Sequence, residues 1–194
     1  MVAGVTADRV RRRTVVLVEG VSDQVALEAL AERRGRDLVA EGVCIVSMGG
    51  ATNIGSFLDL LGPQGLNLGL AGLCDQGEAG VFQRGLGRAG FGSGPTRAEM
   101  ESHRFYVCVD DLEDELIRSL GPAAIEEVLA VEGDLTSFRS FQQQPAQQGR
   151  SEEARLRRFL GTRSGRKIHY AAVLVHALDR ARVPRPLDSL LADV

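Results

Sequence analysis

Acidic residues follow three of the strands that the sequence predicts, and their type and placement suggest metal chemistry. Glu19 ends the first apolar run, Asp75 ends the third, and the pair Asp110-Asp111 ends the fourth. In open α/β sheets, ligands bind outside the carboxyl ends of the strands, so we expect these carboxylates to converge at one edge. Packed carboxylates repel each other, and a divalent cation relieves that repulsion. Mg²⁺ or Mn²⁺, as one or two ions, is therefore the predicted cofactor.

Further acidic residues lie near enough in sequence to join this set. Asp23 lies four residues after Glu19, about one helical turn further on, while Glu78 and Glu113 follow the later strands. Taken singly, Asp23 also suits a helix N-terminus, and either acid of the pair suits a helix cap. Taken together, the acids suit phosphodiester cleavage, in which bound ions activate a water, hold the non-bridging oxygens and stabilise the leaving oxygen.

The elements that must position these acids alternate between strand and helix. Continuous apolar runs predict strands buried on both faces, as in a parallel sheet. The predicted strands are 14–18, 42–48, 66–74 and 105–109, and the predicted helices are 23–34 (capped by Ser22), 53–61 and 112–120. We expect right-handed βαβ units and an α/β fold, with a mostly parallel, Rossmann-like central sheet of about four strands flanked by helices.

The rest of the chain is expected to complete a single domain over residues 1–194, because a chain of this length can bury a core without disulfides. Helical periodicity returns near the C-terminus and stops at Pro184 and Pro186. The predicted segments outside the sheet are a basic N-terminal lead (1–13), a glycine-rich loop (76–100), a flexible Gln- and Ser-rich connection (134–150) and a helical C-terminal part (151–194).

The composition argues against several other classes of protein. The formal charge of −3 gives no overall attraction to nucleic acid, and no run of about 18 apolar residues could span a membrane. The N-terminal charges follow a short apolar start, the reverse of a signal peptide. Cys44, Cys74 and Cys108 lie far apart inside apolar runs, which favours three buried thiols over a zinc or disulfide framework. We therefore expect a cytoplasmic protein with no membrane partner.

Four short motifs, in a fixed order, resemble the TOPRIM domain of the overcoming-lysogenization-defect (OLD) family of nucleases. VVLVEG at 15–20, with Ser22-Asp23, resembles the first TOPRIM motif, and DQGEAG at 75–80 resembles the second. VDDLEDEL at 109–116 resembles an OLD-family segment, as does the tail that runs from Gly165-Arg166-Lys167 to VPRPL at 183–187. The similarity covers the chain from about residue 14 to residue 194.

The resemblance implies a set of site residues and one departure from the family pattern. It implies metal binding and acid–base duty for Glu19 and Asp23, and metal binding for Asp75. The acidic cluster would be completed by Asp111 and Glu113. The second acid of the family's Asp-x-Asp pair is replaced here by Gly77. Either Glu78 substitutes for that acid as a metal ligand, or one metal is lost.

Basic residues of the C-terminal part are candidates for phosphate contacts. Lys167 is the sole lysine beside 22 arginines, which favours a need for a compact point charge near a phosphate or leaving group. With the resemblance, we predict Lys167 to be a catalytic charge stabiliser. Arg155, Arg158 and Arg166 are predicted to contact a nucleic-acid backbone. The alternative is a solvated helix face balanced by nearby glutamates.

The leading hypothesis is metal-dependent hydrolysis of DNA phosphodiesters, with water as the nucleophile. OLD-family proteins carry an ATPase domain ahead of this one and the chain has none, so the resemblance implies action alone or with a separate ATPase chain. A homodimer is also considered. Gly77 favours a second reading, a catalytically weakened TOPRIM module that binds nucleic acid or a partner. A small-molecule phosphohydrolase or nucleotidyl transferase stays open, because a metal–carboxylate site does not choose its phosphate ester.

Overall fold

A four-stranded parallel sheet lies between two layers of helices in the computed structural model, which describes residues 13–162 and 164–194. The strands are β1 (Thr14–Val18), β2 (Val43–Ser47), β3 (Gly69–Cys74) and β4 (Phe105–Val107), in the spatial order β2-β1-β3-β4. The predicted α/β class with a mostly parallel sheet of about four strands is confirmed. The basic lead predicted at 1–13 lies outside the described residues except for Arg13.

Helices follow or separate these strands and make up most of the C-terminal half. None of those in the described residues is long and apolar enough to cross a membrane. Within the same residues the α-helices are α1 (Val21–Arg33), α2 (Ile54–Leu61), α3 (Ala79–Arg88), α4 (Arg97–Ser102), α5 (Leu112–Leu120), α6 (Pro122–Val131), α7 (Leu135–Gln142), α8 (Glu152–Leu160), α9 (Ser164–Ala177) and α10 (Arg185–Asp193).

The central strand β1 is apolar throughout because both of its faces are covered. Val16 and Val18 belong to the core that contains α1, α5, α9 and α10, whereas Val15 and Leu17 belong to the core that contains α2, α3 and Met100 of α4. Alternate side chains of a strand point to opposite faces, so a strand between two helical layers needs apolar residues at every position. This placement explains the continuous apolar run.

The strand register brings the carboxyl ends of β1 and β3 to one level. Val18, the last residue of β1, lies opposite Leu73 of β3, one residue before that strand ends. At Gly72 a Cβ atom would lie 2.6 Å from the Phe105 ring and 2.9 Å from the Leu17 carbonyl oxygen. Glycine is therefore the residue that lets β1, β3 and β4 approach this closely.

The predicted glycine-rich loop at 76–100 is wrong for much of its length, because α3 and the first part of α4 occupy it. Gly85 shows the physical reason. A Cβ at this position would lie 3.1 Å from the Ile54 Cγ2 atom of α2. Here a glycine permits two helices to pack closely, so it marks a contact between helices and not an irregular backbone.

The connection predicted as flexible at 134–150 also contains regular structure. It includes α7 and a short 3-10 helix at Pro145–Gln147. Phe138 of α7 is fully buried and its ring lies edge-on to Phe159 of α8, with the centroids 5.1 Å apart. One apolar contact thus anchors a segment whose polar composition resembled a linker.

The C-terminal part is helical, as expected, but its two prolines have a different place. Pro184 is the N-cap residue of α10 and Pro186 lies in the first turn of that helix. Proline fits the first turn because the amide that it lacks has no partner within the helix. The expectation of three buried thiols is corrected as well: Cys74 and Cys108 are buried, but Cys44 on the edge strand β2 is exposed.

Candidate active site

Glu19 and Asp75 lie side by side at the carboxyl edge of the sheet. Each directly follows its strand, and β1 and β3 are neighbours. The Asp75 amide donates a hydrogen bond to Glu19 Oε1 at 2.8 Å. Two acids that are 56 positions apart in the sequence are therefore held together by the parallel register.

Asp23 reaches the same edge because α1 begins directly after β1. Its Oδ2 atom accepts a hydrogen bond from the Gly20 amide at 2.8 Å, which helps to satisfy the N-terminus of the helix. Gly20, and not the expected Ser22, holds the N-cap position; Ser22 lies inside α1 and is buried. Asp23 therefore stabilises the N-terminus of α1, as considered from the sequence, and also lies among the acids at the sheet edge.

Asp111 likewise combines a cap with a place at the edge. It is the N-cap residue of α5, and its Oδ1 atom accepts a hydrogen bond from the Asp114 amide at 2.8 Å. Its Oδ2 atom accepts from Arg157 of α8, at 2.8 Å from Nε and 2.5 Å from Nη2. Both oxygens of this carboxylate are therefore engaged.

Glu113 and Lys167 pair in the interior of the site. Glu113 is only 7% exposed, and its Oε2 atom lies 3.1 Å from the Lys167 ammonium of α9. The other oxygen, Oε1, is buried and has no hydrogen-bond partner among the described residues. A buried carboxylate oxygen without a partner is costly, so this atom requires a cation or a donor.

Electrostatic coupling ties these groups into one cluster. Burial, followed by the charges of Glu19, Asp23 and Asp111, raises the pKa of Asp75 to about 8. Burial also raises the pKa of Glu19, although the hydrogen bond from the Asp75 amide opposes the shift. These carboxyl groups repel each other when they are ionised together. A bound cation would relieve that repulsion, so the cluster attracts positive charge.

Lys167 supplies part of that positive charge. Burial alone would lower its pKa, but the carboxylate of Glu113, followed by those of Asp23 and Asp75, gives a net increase. The ammonium therefore stays charged at neutral pH. The one lysine of the chain is brought from α9 to the carboxyl edge of the sheet.

The carboxylate oxygens at this edge are the type of donor that a divalent cation prefers. In the described part of the chain, no three of the Asp, Glu, His and Cys side chains form a ready-made metal site. The local contacts explain this, because Asp23 and Asp111 turn toward helix amides and Glu19 turns toward the Asp75 amide. With the unpartnered Glu113 oxygen, these hard oxygen donors suit Mg²⁺ or Mn²⁺.

The motif position that lacks an acid is open to solvent. Gly77 lies in the short 3-10 helix Gln76–Glu78, and a Cβ atom there would meet no other atom within 4 Å. Glu78 is near enough for its charge to raise the pKa of Glu19. The glycine is thus not required by packing, and the following glutamate borders the cluster.

The three arginines predicted to contact nucleic acid lie in different environments. Arg158 is exposed and lines a cleft of about 510 Å³ beside the acidic cluster. Arg155 instead donates to the Gln147 carbonyl at 3.2 Å. Arg166 pairs with Asp134 at 3.1 Å and stacks on the Phe159 ring at 4.0 Å, contacts that support the packing of helices.

Residues that were not among the predicted contacts also line this cleft. Arg150, Ser151 and Arg157 form its walls together with Lys167, Asp111 and Glu113. Arg157 contacts Asp111, a residue 46 positions away in the sequence. The sequence shows that arginines are dense in this segment. Which of them line the cleft could be decided only from the fold.

The thiols beneath the site are poor candidates for nucleophiles. Burial raises the pKa of Cys74, and the nearby charges of Glu19 and Asp75 raise it further. Burial raises the pKa of Cys108 in the same way. Both thiols stay protonated at neutral pH, which leaves the chemistry to the carboxylates and Lys167.

A parallel α/β sheet with acids at the carboxyl ends of β1 and β3 is the arrangement of a TOPRIM domain. Residues 12–76 match the family described as "Overcoming lysogenization defect protein-like, TOPRIM domain". This match agrees with the resemblance to an OLD-like TOPRIM domain that the motifs indicate. No curated protein matches the chain in sequence.

Solved structures extend the similarity beyond the matched motifs. The C-terminal region of the Xanthomonas campestris pv. campestris OLD protein is 25% identical, with a TM-score of 0.70, over 93% of this chain and 91% of that one. The C-terminal region of the Burkholderia pseudomallei OLD protein is 20% identical, with a TM-score of 0.66, over 94% and 96% of the two chains. The second similarity supports the fold alone.

Proposed function

We propose that the protein is a cytoplasmic nuclease that hydrolyses DNA phosphodiester bonds with Mg²⁺ or Mn²⁺. The observation that carries this proposal is the convergence of five acids and one lysine at the carboxyl edge of the sheet. The residues proposed to hold the cation are Glu19, Asp23, Asp75, Asp111 and Glu113. The OLD-like TOPRIM domain is generally associated with nucleases, which supports a phosphodiester as the substrate.

The proposed roles follow from the state of each group. A divalent cation, when bound, supplies positive charge to the phosphate oxygens. Burial raises the pKa of Glu19, which makes its carboxylate a stronger acceptor for a proton from the attacking water. Lys167 remains charged and is positioned by Glu113, so it can stabilise negative charge on the phosphate or the leaving oxygen.

The test is cleavage of supercoiled plasmid DNA in Mg²⁺ or Mn²⁺ by the wild type and the Glu19→Gln variant. We expect the substitution to lower the rate by at least about 100-fold, because it removes a proton acceptor and a metal ligand. Glu127→Gln, at an exposed position of α6, is the matched control and should cleave like the wild type. Equal rates for wild type and Glu19→Gln, with both proteins folded by circular dichroism, would refute the proposal.

A second candidate function is a weakened module that binds nucleic acid or a partner without efficient cleavage. Gly77 favours it, since the family's second motif acid is missing there. The space around this position accommodates a side chain, so Gly77→Asp tests the idea without steric conflict. A gain of cleavage would mark the natural site as degenerate. A loss would mean that Gly77 belongs to a working geometry, with Glu78 as the substituting ligand.

The remaining proposals concern substrate size and partners. Competition by mononucleotides against plasmid cleavage distinguishes a small-molecule phosphohydrolase or nucleotidyl transferase from a nuclease.

Stimulation of cleavage by a separate ATPase chain would support that chain as a partner. Sedimentation velocity over a range of protein concentrations separates a monomer from the proposed homodimer.

A further inference from the structure

Arg157 lies between the acidic cluster and the cleft and contacts both. Its Nε and Nη2 atoms lie 2.8 and 2.5 Å from Asp111 Oδ2, and its Nη1 atom lies 4.0 Å from Asp110. The same side chain lines the cleft of about 510 Å³ and is 43% exposed. A guanidinium so placed can leave the carboxylate and enter the cleft by rotation of its own side chain.

A cation that binds Asp111 through Oδ2 must displace Arg157, because two nitrogen atoms of the guanidinium already contact this oxygen. The Oδ1 atom of Asp111 accepts the Asp114 amide, and its Oδ2 atom accepts Arg157. The first contact caps α5 and is local to that helix. The second joins two helices through a partly exposed ion pair, and such pairs contribute little to stability. Arg157 is therefore the partner that Asp111 releases more readily.

The cleft provides a new environment for the released guanidinium. Arg158 lines it, and its side chain makes no hydrogen bond or ion pair with the described residues. Arg150 lines it as well, and its Nε atom donates to the Ala146 carbonyl at 3.0 Å. Lys167 stands at its boundary with the acidic cluster. The same cleft is also lined by four acids, which are Asp111, Glu113, Asp114 and Glu153. Its guanidinium groups can still bind a phosphate group through two parallel hydrogen bonds.

We propose that Arg157 alternates between Asp111 and a backbone phosphate of the nucleic acid, with its position set by the divalent cation. This inference rests on the proposed function. In the cation-free protein Arg157 neutralises Asp111. When Asp111 serves as a metal ligand, Arg157 moves into the cleft and binds a phosphate next to the one that is cleaved. Binding of cation and DNA is then mutually favourable, as linkage requires.

The first measurement is Mn²⁺ binding by calorimetry to the wild type, Arg157→Ala and Arg158→Ala. Removing Arg157 leaves Asp111 available, so we expect Mn²⁺ to bind about 2- to 5-fold more tightly, the range of a partly exposed ion pair. Arg158→Ala removes the same charge one position further along the helix, without contact to Asp111, and should leave the affinity within about 2-fold. An unchanged or weaker affinity in Arg157→Ala would overturn the inference.

The second measurement is binding of a 12-base-pair phosphorothioate duplex, which keeps the backbone charge and hydrolyses slowly, by fluorescence anisotropy. In Mn²⁺ we expect Arg157→Ala to weaken binding roughly 10-fold, because a charged hydrogen bond is lost. In EDTA the loss should be within about 2-fold, since Arg157 is then bonded to Asp111. Equal losses under both conditions would show a fixed phosphate contact and overturn the alternation.

The two proposals fail in different ways. If the folded wild type binds no Mn²⁺, with or without the duplex, the proposed function falls and the Arg157 inference falls with it. If wild type and Arg157→Ala bind Mn²⁺ equally well while the wild type still cleaves plasmid DNA, only the Arg157 inference is overturned.

Discussion

At the scale of single residues, the acidic side chains serve the helices and the site at once. Asp23 and Asp111 accept helix amides, and Glu19 accepts the Asp75 amide. Hydrogen bonds from backbone amides stabilise the negative charge of a carboxylate. Asp75 has no such bond in the described structure and carries the largest shift among the acids, with its pKa raised to about 8.

The first prediction concerns the stability of the metal-free protein against pH. A carboxyl whose pKa is raised by folding stabilises the fold while protonated. Its contribution is complete below the ordinary Asp pKa of 3.8 and is lost as pH rises through about 8. In EDTA, the melting temperature should therefore fall between pH 5 and pH 8.5, and Asp75→Asn should remove much of that fall.

At pH 8.5 the Asp75→Asn variant should be more stable than the wild type by about 3 kcal/mol, from the cost of ionising a partly buried group. Thermal denaturation by circular dichroism measures the difference. Asp59→Asn, at an exposed position of α2, is the control and should follow the wild-type profile. A steady pH profile for the wild type would contradict the electrostatic account of the site.

At the scale of elements, the placement of Lys167 depends on the packing of α9 against α1. Arg33, in the last turn of α1, donates to the carbonyl oxygens of Val175 and Leu178 at 2.6 and 2.7 Å. These carbonyls lie at and just beyond the C-terminal end of α9, where helix carbonyls lack the usual amide partners of the helix interior. The Val175 carbonyl also accepts the Leu178 amide at 3.3 Å. One side chain therefore fastens the helix that carries Lys167 to the helix that carries Asp23.

The second prediction tests this connection. Arg33→Ala should lower the free energy of unfolding by about 2 kcal/mol, since two charged hydrogen bonds are lost from a half-buried position. Arg34→Ala is the matched control: Arg34 makes an ion pair with Asp188 at the surface, and its loss should cost less than about 1 kcal/mol. Urea denaturation measures both values, and equal losses would contradict the prediction.

At the scale of the whole molecule, the net charge of −3 conceals a division of charge. The carboxyl edge of the sheet gathers acids, and the adjacent cleft adds Arg150, Arg157 and Arg158 to the acids that border it. A DNA strand that enters the cleft must also approach the acidic cluster. The molecule should therefore bind DNA well only when a cation neutralises that cluster.

The third prediction is that the affinity for duplex DNA depends on salt concentration through the basic side chains of the cleft. In Mn²⁺, the logarithm of duplex affinity should fall with the logarithm of salt concentration with a slope of about −3 to −4, from roughly four basic side chains. Arg150→Ala should reduce the magnitude of this slope by about 1. Arg139→Ala, at an exposed position of α7 outside the cleft, should leave it unchanged, and anisotropy titrations at several NaCl concentrations distinguish the two.

The sequence alone determined the fold class, the strands and the group of acids. Thr14–Val18 and Leu112–Leu120 match the predicted elements at both ends, because continuous apolar runs and helical periodicity are local consequences of burial. The acids could be assigned to one edge because parallel strands share the direction of their carboxyl ends. The glycine-rich segment was mistaken for a loop, because Gly85 is explained by the approach of Ile54 from another helix.

The tertiary structure alone decided which basic residues belong to the site. Arg155, Arg157, Arg158 and Arg166 lie within one arginine-rich stretch, and their local sequence does not rank them. The fold directs Arg166 onto Phe159 and Arg157 onto Asp111, and it leaves Arg158 in the cleft. Burial periodicity is encoded in neighbouring residues, whereas the partner of a long charged side chain is set by elements that meet only after the chain has folded.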